Sequence, residues 1–460
     1  MNSMDIYKNI KYLKILNEIN VDIKFVEKDT RAIKKNSIYV GIKGNNFDGN
    51  DLFEEAFSNG ADICILERIS ETEELLDYLK DNNKSIILVE DSILSLGELA
   101  TYRRTLFKKP VIAITGSAGK TSTKDMTYNI LANKYNVHKT LENFNNHIGL
   151  PLTILSLEDK NDLLVVEMGM NHYNELDYLT KIAKPNIALI TNIGTAHIGN
   201  FGSRKNILKA KLEILNGLDS NGSVVINIDD DLLNKWYLKN KEKYNIITFA
   251  IDNEADFKAS NIILEEDSST FMCNGINYSL PIGGKQFIYN ALGAIAISHL
   301  FDLSDDDRKK GISEFRSTVN RMNLIKKKNI TIIDDCYNAN FDAMCYSLKY
   351  LSQKNGRKIA CIGSMLDLGD LSEDLHTKLG DEIISNNIDI LLTVGEYTNL
   401  INKRAIELGF NKDNSYHFNT NEDAIKKLKE IHTNEDIVLI KASHPLEFYQ
   451  ITDALDKEYK

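Results

Sequence analysis

The chain has little that would stiffen or staple it. Its 460 residues include 5 prolines and 1 tryptophan, and its 5 cysteines (Cys64, Cys273, Cys336, Cys345 and Cys361) form no C-x-x-C pair. Such an odd, scattered set argues against a disulfide framework or a cysteine-based zinc site, and reads as reduced thiols in a cytosolic protein. No apolar run approaches the ~20 residues that span a bilayer, and the start MNSMDIYKNIKYLK lacks the apolar stretch of a signal peptide. Positive charge is in deficit, with 55 Lys+Arg against 66 Asp+Glu and a formal net charge of −11. That balance argues against a general nucleic-acid binder, whose affinity rests on Lys and Arg facing phosphates, and leaves room for a local basic pocket. The remainder, 43% hydrophobic and 26% charged, is the mix of a soluble globular protein, not of a disordered or fibrous one. At ~150 residues per domain the length suggests about three domains, soluble and cytoplasmic.

The pattern along the chain is α/β. Short β-like runs SIYVGI (37–42), DICILE (62–67) and SIILVE (85–90) alternate with helical stretches. The basic, proline-terminated TLFKKP then precedes a new apolar run, VIAIT (111–115), which places a first boundary near 108. From there strand, Gly-rich turn and helix repeat: VIAIT, DLLVVE (162–167) and NIALITNIG (186–194) are apolar runs, as suits strands buried on both faces of a parallel sheet, and SVVINIDDDLL opens another unit. Less regular, mixed structure is expected over 245–282, a helix over 290–301, and solvated helix and turn over SDDDRKKG (304–311). After a 316–330 connector, NITIIDD, RKIACIG (357–363), DILLTVG (389–395) and DIVLIKA (436–442) describe a doubly wound, Rossmann-like sheet. Three α/β domains are expected: 1–108, a central P-loop-type, mostly parallel ATPase domain over 109–316, and a Rossmann-like domain over 317–460.

The strongest local signal is VIAITGSAGKTSTKDM (111–126). An apolar strand ends in Thr115, a short Gly-containing loop follows, and Lys120-Thr121 open a helix. Glycines let the backbone curl so that N–H groups point at phosphate oxygens, and the helix N-terminus adds a favourable dipole. The lysine reaches terminal phosphates and the threonine hydroxyl can ligate Mg²⁺. The nucleotide-phosphate set expected here is Gly116, Ser117, Ala118, Gly119, Lys120, Thr121 and Ser122. Ile114 stands where the longer G-x-x-x-x-G-K-[ST] form would have glycine, so the motif is the shorter T-G-x-x-G-K-T. Glu167 ends the LLVVE run at the carboxyl end of a strand, where ligands bind in open α/β sheets. It reads as a Mg²⁺ ligand, direct or through water, or as a surface carboxylate at a strand end. His197 closes NIALITNIGTAH and reads as a ligand or as a hydrogen-bonded structural residue.

Several segments together resemble the Mur ligase family, ATP-dependent amide ligases of peptidoglycan precursor synthesis. They are DTRAIKKNSIYVGIKGNNFDG (29–49), TGSAGKTSTK (115–124), NFNNHIGLPLTIL (143–155), EMGMNHYNELDYLTKIAKPNIALITNIGTAHI (167–198), GSRKNILKAKLEI (202–214), NRM (320–322) and DDCYNANFDAM (334–344). The resemblance implies an ADP-forming ligase that activates a carboxylate as an acyl phosphate for attack by an amine. Among the family's reactions it points to addition of D-alanyl-D-alanine to UDP-N-acetylmuramoyl-tripeptide. It implies ATP and two Mg²⁺ sites, with Thr121 and Glu167 on the first and His197 on the second. Lys211 matches a lysine that the family often carries as a carbamate, which would turn a cation into a metal-supporting anion; otherwise it is a surface lysine on an amphipathic helix. Asn290 matches the adenine contact, Arg321 the γ-phosphate contact and Asp335 the ribose contact. Lys120, His197, Lys211 and Arg321 are the implied catalytic set. Thr30 and Arg31 match a D-[ST]-R element that holds the UDP part of the acceptor, and Asn146 is a further acceptor candidate.

Two departures bear on the amine donor. The family's K-[GA]-S-R-G-M stretch reads KASHPL here, with His444-Pro445-Leu446 in place of Arg-Gly-Met, and Phe341 replaces a usual proline. Proline stiffens the turn, and loss of the arginine removes a fork-shaped carboxylate partner. Two alternatives therefore stand beside the main expectation: a paralogue that joins another amine or acceptor, as in folate–glutamate ligation, and a nucleotide-binding protein with a decayed donor site. The implied partners are small molecules (a UDP-muramoyl peptide and a dipeptide or amino acid), with no nucleic acid or membrane, and the chain is expected to be a monomer.

Overall fold

A computed structural model describes residues 1–44, 46–318 and 320–459. The chain is mixed α/β with mostly parallel strands, the expected fold class. It falls into two interleaved compact units, one of Met1–Thr115, Tyr135–Leu189 and Leu212–Ser223, the other of Gly116–Lys134, Ile190–Lys211 and Val224–Lys460.

The first unit contains a five-stranded sheet in the order Lys14–Leu16, Ser85–Leu88, Ala61–Leu66, Ser37–Val40, Phe25–Glu27. All neighbours are parallel except Lys14–Leu16, which runs antiparallel to Ser85–Leu88. Its three central strands are the three apolar runs read from the sequence; the two edge strands are three residues each, too short to leave a pattern. The same unit carries the strand run Ile187–Ile190, Val111–Thr115, Leu163–Glu167, Val137–Lys139. Every residue of Val111–Thr115 and Leu163–Glu167 is buried. The two pair in parallel with Ile114 beside Glu167, so both chains leave the sheet at the same edge.

The second unit holds the helix Lys120–Leu131 and the strand run Ile276–Leu280, Ser269–Cys273, Phe257–Leu264, Asn245–Ala250, Ser223–Asn227. The stretch 245–282, expected as less regular, mixed structure, holds four strands. Its last three pair antiparallel, with Phe271 and Tyr278 stacked at 5.4 Å on the buried face. Such strands are half-buried and alternate polar with apolar, so they lack the continuous runs that revealed the parallel strands. The helix expected from 290 begins at Lys285 and extends to Ser298, buried on nearly all sides. The charged 304–311 stretch becomes the helix Asp305–Ser313, started by a Ser304/Asp307 capping box.

The same unit ends in a six-stranded sheet in the order Asn323–Lys326, Ile330–Asp334, Asp436–Lys441, Arg357–Gly363, Ile390–Val394, Ser415–Phe418. Four of these were legible as apolar runs. Ser415–Phe418 was not, and neither was Asn323–Lys326, an antiparallel edge strand inside the stretch read as a connector. At the start of a central strand, fully buried Asp436 takes Arg357 Nε and Nη2 at 2.7 and 2.8 Å and the Thr433 amide at 2.8 Å. Burial pushes its carboxyl up, and Arg357 with Thr433 outweighs that, leaving the pKa below the ordinary carboxylate value. Asp436→Asn is therefore expected to destabilise the protein by about 2 kcal/mol, less than a fully buried pair because Arg357 is partly solvated. A lower urea midpoint at pH 7 would register it. The folded pKa is depressed, so this stabilisation is present above about 3.9 and the gap between variant and wild type closes as pH falls through the folded value.

Among the described residues, no helix is long and apolar enough to cross a membrane, and all five cysteines are free thiols.

Candidate functional site

The strand Val111–Thr115 runs directly into the loop Gly116–Gly119 and the helix Lys120–Leu131. Gly119 is the helix N-cap with φ of 81°, a left-handed conformation that glycine adopts without penalty. A Cβ there would lie 2.3 Å from Asn290 Oδ1, and one at Gly116 would lie 1.8 Å from Thr191 Oγ1, so neither position admits a side chain. The loop is braced by the two residues that follow the strand Ile187–Ile190. Ser117 N donates to Asn192 O (3.1 Å), Ala118 N to Asn192 Oδ1 (3.0 Å), and both Asn192 Nδ2 (3.1 Å) and Thr191 Oγ1 (2.6 Å) donate to Ala118 O. The expected strand 186–194 stops at Ile190 because Thr191 and Asn192 are committed to this loop.

Lys120 Nζ curls back to donate to Gly116 O at 2.8 Å. Ser117 Oγ is buried with no hydrogen-bond partner among the described residues. Thr121 is buried and Ser122 half-buried in the first turn. Asn290, buried, accepts from Thr123 Oγ1 at 3.3 Å. A glycine-lined cradle, the buried Ser117 hydroxyl and a lysine at a helix start fit a phosphate chain.

Two further basic residues of this unit gather near Lys120. His197 caps the short helix Ile198–Phe201 with φ of 59°, left-handed for a non-glycine residue. Its Nδ1 lies 3.2 Å from Asp367 Oδ2, off the line of a good hydrogen bond. Burial first, then the charge of Lys120, hold the imidazole below its usual pKa, with Asp367 opposing and Lys211 adding to the lowering. Lys211 closes the helix Arg204–Lys211 and is 3% exposed, so it is not the surface lysine that an amphipathic helix suggested. Burial, and then Lys120, drive its pKa well below that of a free amine.

Arg321 and Asp335 occupy the start of the six-stranded region. The Arg321 guanidinium lies 3.8 Å over the Tyr337 ring, and the His444 ring sits 5.5 Å from Tyr337. His444, which stands where the family has arginine, thus packs at a tilt of 34° against the same tyrosine. Pro445 falls in the first turn of a short helix, His444–Leu446, where its missing N–H costs nothing. The buried Asp335 carboxylate accepts from Met322 N (3.1 Å), Ser347 Oγ (2.6 Å) and Lys441 Nζ (2.6 Å).

In the first unit, Glu167 is 1% exposed, which removes the reading as a surface carboxylate. Its Oε1 accepts from Asn145 Nδ2 at 2.8 Å and its amide donates to Thr140 Oγ1 at 3.0 Å. Asn146 Oδ1 accepts from the amides of Ile148 and Gly149 at the start of the helix Gly149–Leu155. Thr30, buried, donates to Glu55 Oε1 at 2.7 Å. Exposed Arg31 forms a two-pronged pair with Asp29 at 2.9 and 2.6 Å, and its hydrogen bonds hold that carboxyl down at about 2.

Among the described residues, no three of His, Cys, Asp and Glu gather as a metal cage. A magnesium ion shared with phosphates needs no such cage, because it usually keeps several waters and takes only one or two protein oxygens. Sequence reasoning missed Thr191, Asn192 and Lys441. The signal was there: a polar pair at the carboxyl end of IALI, and a buried lysine ending DIVLIK. Asp342 lay within the family-like segment 334–344 but nothing tied it to the His197 turn, and for Asp367, which meets the same turn, there was no signal.

Two family models match the chain: Mur ligase middle domain over residues 114–298, and Mur ligase, glutamate ligase domain over residues 320–444. A UDP-N-acetylmuramoyl-tripeptide–D-alanyl-D-alanine ligase from Bacillus subtilis (strain 168) is 35% identical over 435 residues, 94% of this chain and 92% of that protein. A crystal structure of MurF from Acinetobacter baumannii superposes with a TM-score of 0.88 at 28% identity, covering 99% of this chain and 98% of that one. The MurF ligase of Thermotoga maritima, solved in complex with ADP, gives 0.81 at 28% identity, covering 95% and 98%.

Proposed function

The chain belongs to the Mur ligase family of ATP-dependent ligases, and from that premise we propose that it adds D-alanyl-D-alanine to UDP-N-acetylmuramoyl-tripeptide in peptidoglycan precursor synthesis. The observation that carries the reading is the convergence of Lys120, His197 and buried Lys211 beside the phosphate loop. Basic groups held so close lower the pKa of His197 and Lys211, and the arrangement suits a site that receives polyanions.

A carboxylate is a poor electrophile: its charge repels nucleophiles and oxide is no leaving group. An oxygen of the acceptor's terminal carboxylate attacks the γ-phosphorus, the bond to the β,γ-bridging oxygen breaks, and ADP leaves. The donor nitrogen then attacks the acyl carbon, the bond to the phosphate oxygen breaks, and the nitrogen loses its proton to give the amide and inorganic phosphate. The protein's part is alignment and charge neutralisation, which carry most of the catalysis in phosphoryl transfer. Gly116, Ser117, Ala118, Gly119, Lys120, Thr121 and Ser122 hold the triphosphate, Asn290 the adenine, Asp335 the ribose and Arg321 the γ-phosphate. Thr121 and Glu167 would each serve as a ligand of a first Mg²⁺, and His197 and Lys211 as ligands of a second; such ions would supply charge neutralisation. Lys211 acts as a carbamate: its neutral amine attacks CO₂, loses a proton and becomes a carboxylate whose hard oxygens suit magnesium. The depressed pKa supports this, because only the unprotonated amine reacts. Thr30, Arg31 and Asn146 bind the acceptor. The boundaries near 108 and 316 divide these tasks among acceptor, ATP and donor domains, in a cytoplasmic monomer.

The test is ADP and phosphate release by the whole chain. Release is expected to need both the UDP-muramoyl tripeptide and the dipeptide; ATP turnover indifferent to any muramoyl acceptor would sink the assignment. His444 in place of the family's arginine, packed against Tyr337, favours one second reading, the same chemistry with a different amine. Substituting other dipeptides and amino acids at fixed acceptor separates the two.

A further inference from the structure

We propose that Asp342 is a positioning residue for this ligase reaction, its carboxylate fixing the turn that presents His197; the inference rests on the ligase reading above. Asp342 lies in the first turn of the helix Phe341–Ser352, far along the chain from that turn. Its Oδ2 accepts from both Thr195 N and Thr195 Oγ1 at 2.6 Å, short bonds strengthened by the carboxylate charge. The turn is shaped to receive it. A Cβ at Gly194 would lie 2.5 Å from Asp342 Oδ2 and 3.3 Å from Ser117 Cβ, so the carboxylate approaches a bare backbone that abuts the phosphate loop.

On the other side of His197, Gly199 N donates to Asp367 O at 3.0 Å. The residues on either side of His197 are thus gripped by the segment 320–444, while His197 belongs to the segment 114–298. His197 itself is left-handed with φ of 59°. A non-glycine residue stays in that region only where its surroundings over-determine it, and such strain gathers at functional sites. Thr195 stands two residues before the strained residue, and the Asp342 carboxylate takes both its amide and its hydroxyl. The grip couples the arrangement of the two segments to the placement of His197.

An acidic residue in a first helical turn also stabilises its own helix, and a purely structural role would stop there. The full-length variants Asp342→Ala, Asp342→Asn and Thr195→Val separate the two. Asp342→Ala is expected to lower kcat by about 10- to 100-fold with little change in KM for ATP, as displacement of an aligned group does. Asp342→Asn, which keeps an acceptor oxygen, recovers part of the loss. Asp342→Ala combined with Thr195→Val falls no further than Asp342→Ala alone, because both cut the same contact. Independently of activity, amide hydrogen exchange at Thr195–His197 without substrates accelerates in Asp342→Ala. Wild-type kcat in Asp342→Ala and Thr195→Val, or unchanged exchange at the turn, overturns the proposal. If Asp342→Ala does not fold, Asp342→Asn and Thr195→Val give the same readouts. A wild-type chain that does not ligate would instead overturn the function on which the inference rests.

Discussion

Lys120→Ala is expected to abolish ligation, lowering kcat by about 10³-fold or more, the scale at which a transition-state cation contributes to phosphoryl transfer. The fold is expected to survive. In the structure the Lys120 ammonium bonds to Gly116 O within its own loop, and its charge is unfavourable to its neighbours, lowering the pKa of both His197 and Lys211. Removing it takes away that contribution, so both pKa values rise. Loss of activity with an unchanged far-UV spectrum and melting curve is the expected pair of results. Retained ligation would mean that the phosphate loop is misassigned.

The second large effect is expected at Lys211. Lys211→Met removes the amine while keeping most of the packing volume, and should lower kcat by about 10²- to 10³-fold, as loss of one preorganised electrostatic group does. Lys211→Ala should lose as much but leave a small cavity, so that acetate added to the assay restores part of its activity. Acetate should do nothing for Lys211→Met, where the methionine fills the space. A carbamate also makes a spectroscopic claim: wild type equilibrated with isotope-labelled bicarbonate should show a carbonyl resonance that both variants lack. A wild-type spectrum without that resonance would remove the carbamate. Full activity in Lys211→Met would remove Lys211 from the site altogether.

What could be read from the sequence was what is local in it. The strand Val111–Thr115, its glycine turn and the Lys-Thr helix start are contiguous, so composition, period and chemistry coincide over a few residues. The parallel strands were visible because burial on both faces makes them apolar throughout. The strands within 257–280 were hidden by the converse, one wet face giving an alternating pattern. Asn323–Lys326 was hidden by brevity and an edge position. At the candidate site, Glu167 and Lys211 were each left between a functional and a surface reading, and burial is what separates them. The grip of Asp342 on Thr195 joins residues 147 positions apart, and no single-sequence pattern carries that kind of information. His444 shows the reverse case. Its sequence looked like damage to a donor site, yet it packs against the same tyrosine that carries Arg321.

The cysteines have a practical consequence for following this protein in motion. Cys64, Cys273, Cys336 and Cys361 are buried, and desolvation raises the pKa of every one of the five, Cys345 included. Maleimides and similar electrophiles react with the thiolate, which such thiols scarcely form near neutral pH. The natural chain is therefore already a quiet background for fluorophore chemistry. A single cysteine introduced at an exposed position on either side of the Asp342–Thr195 contact would carry the dye alone, and distance changes during turnover could be recorded by energy transfer without first stripping the native thiols.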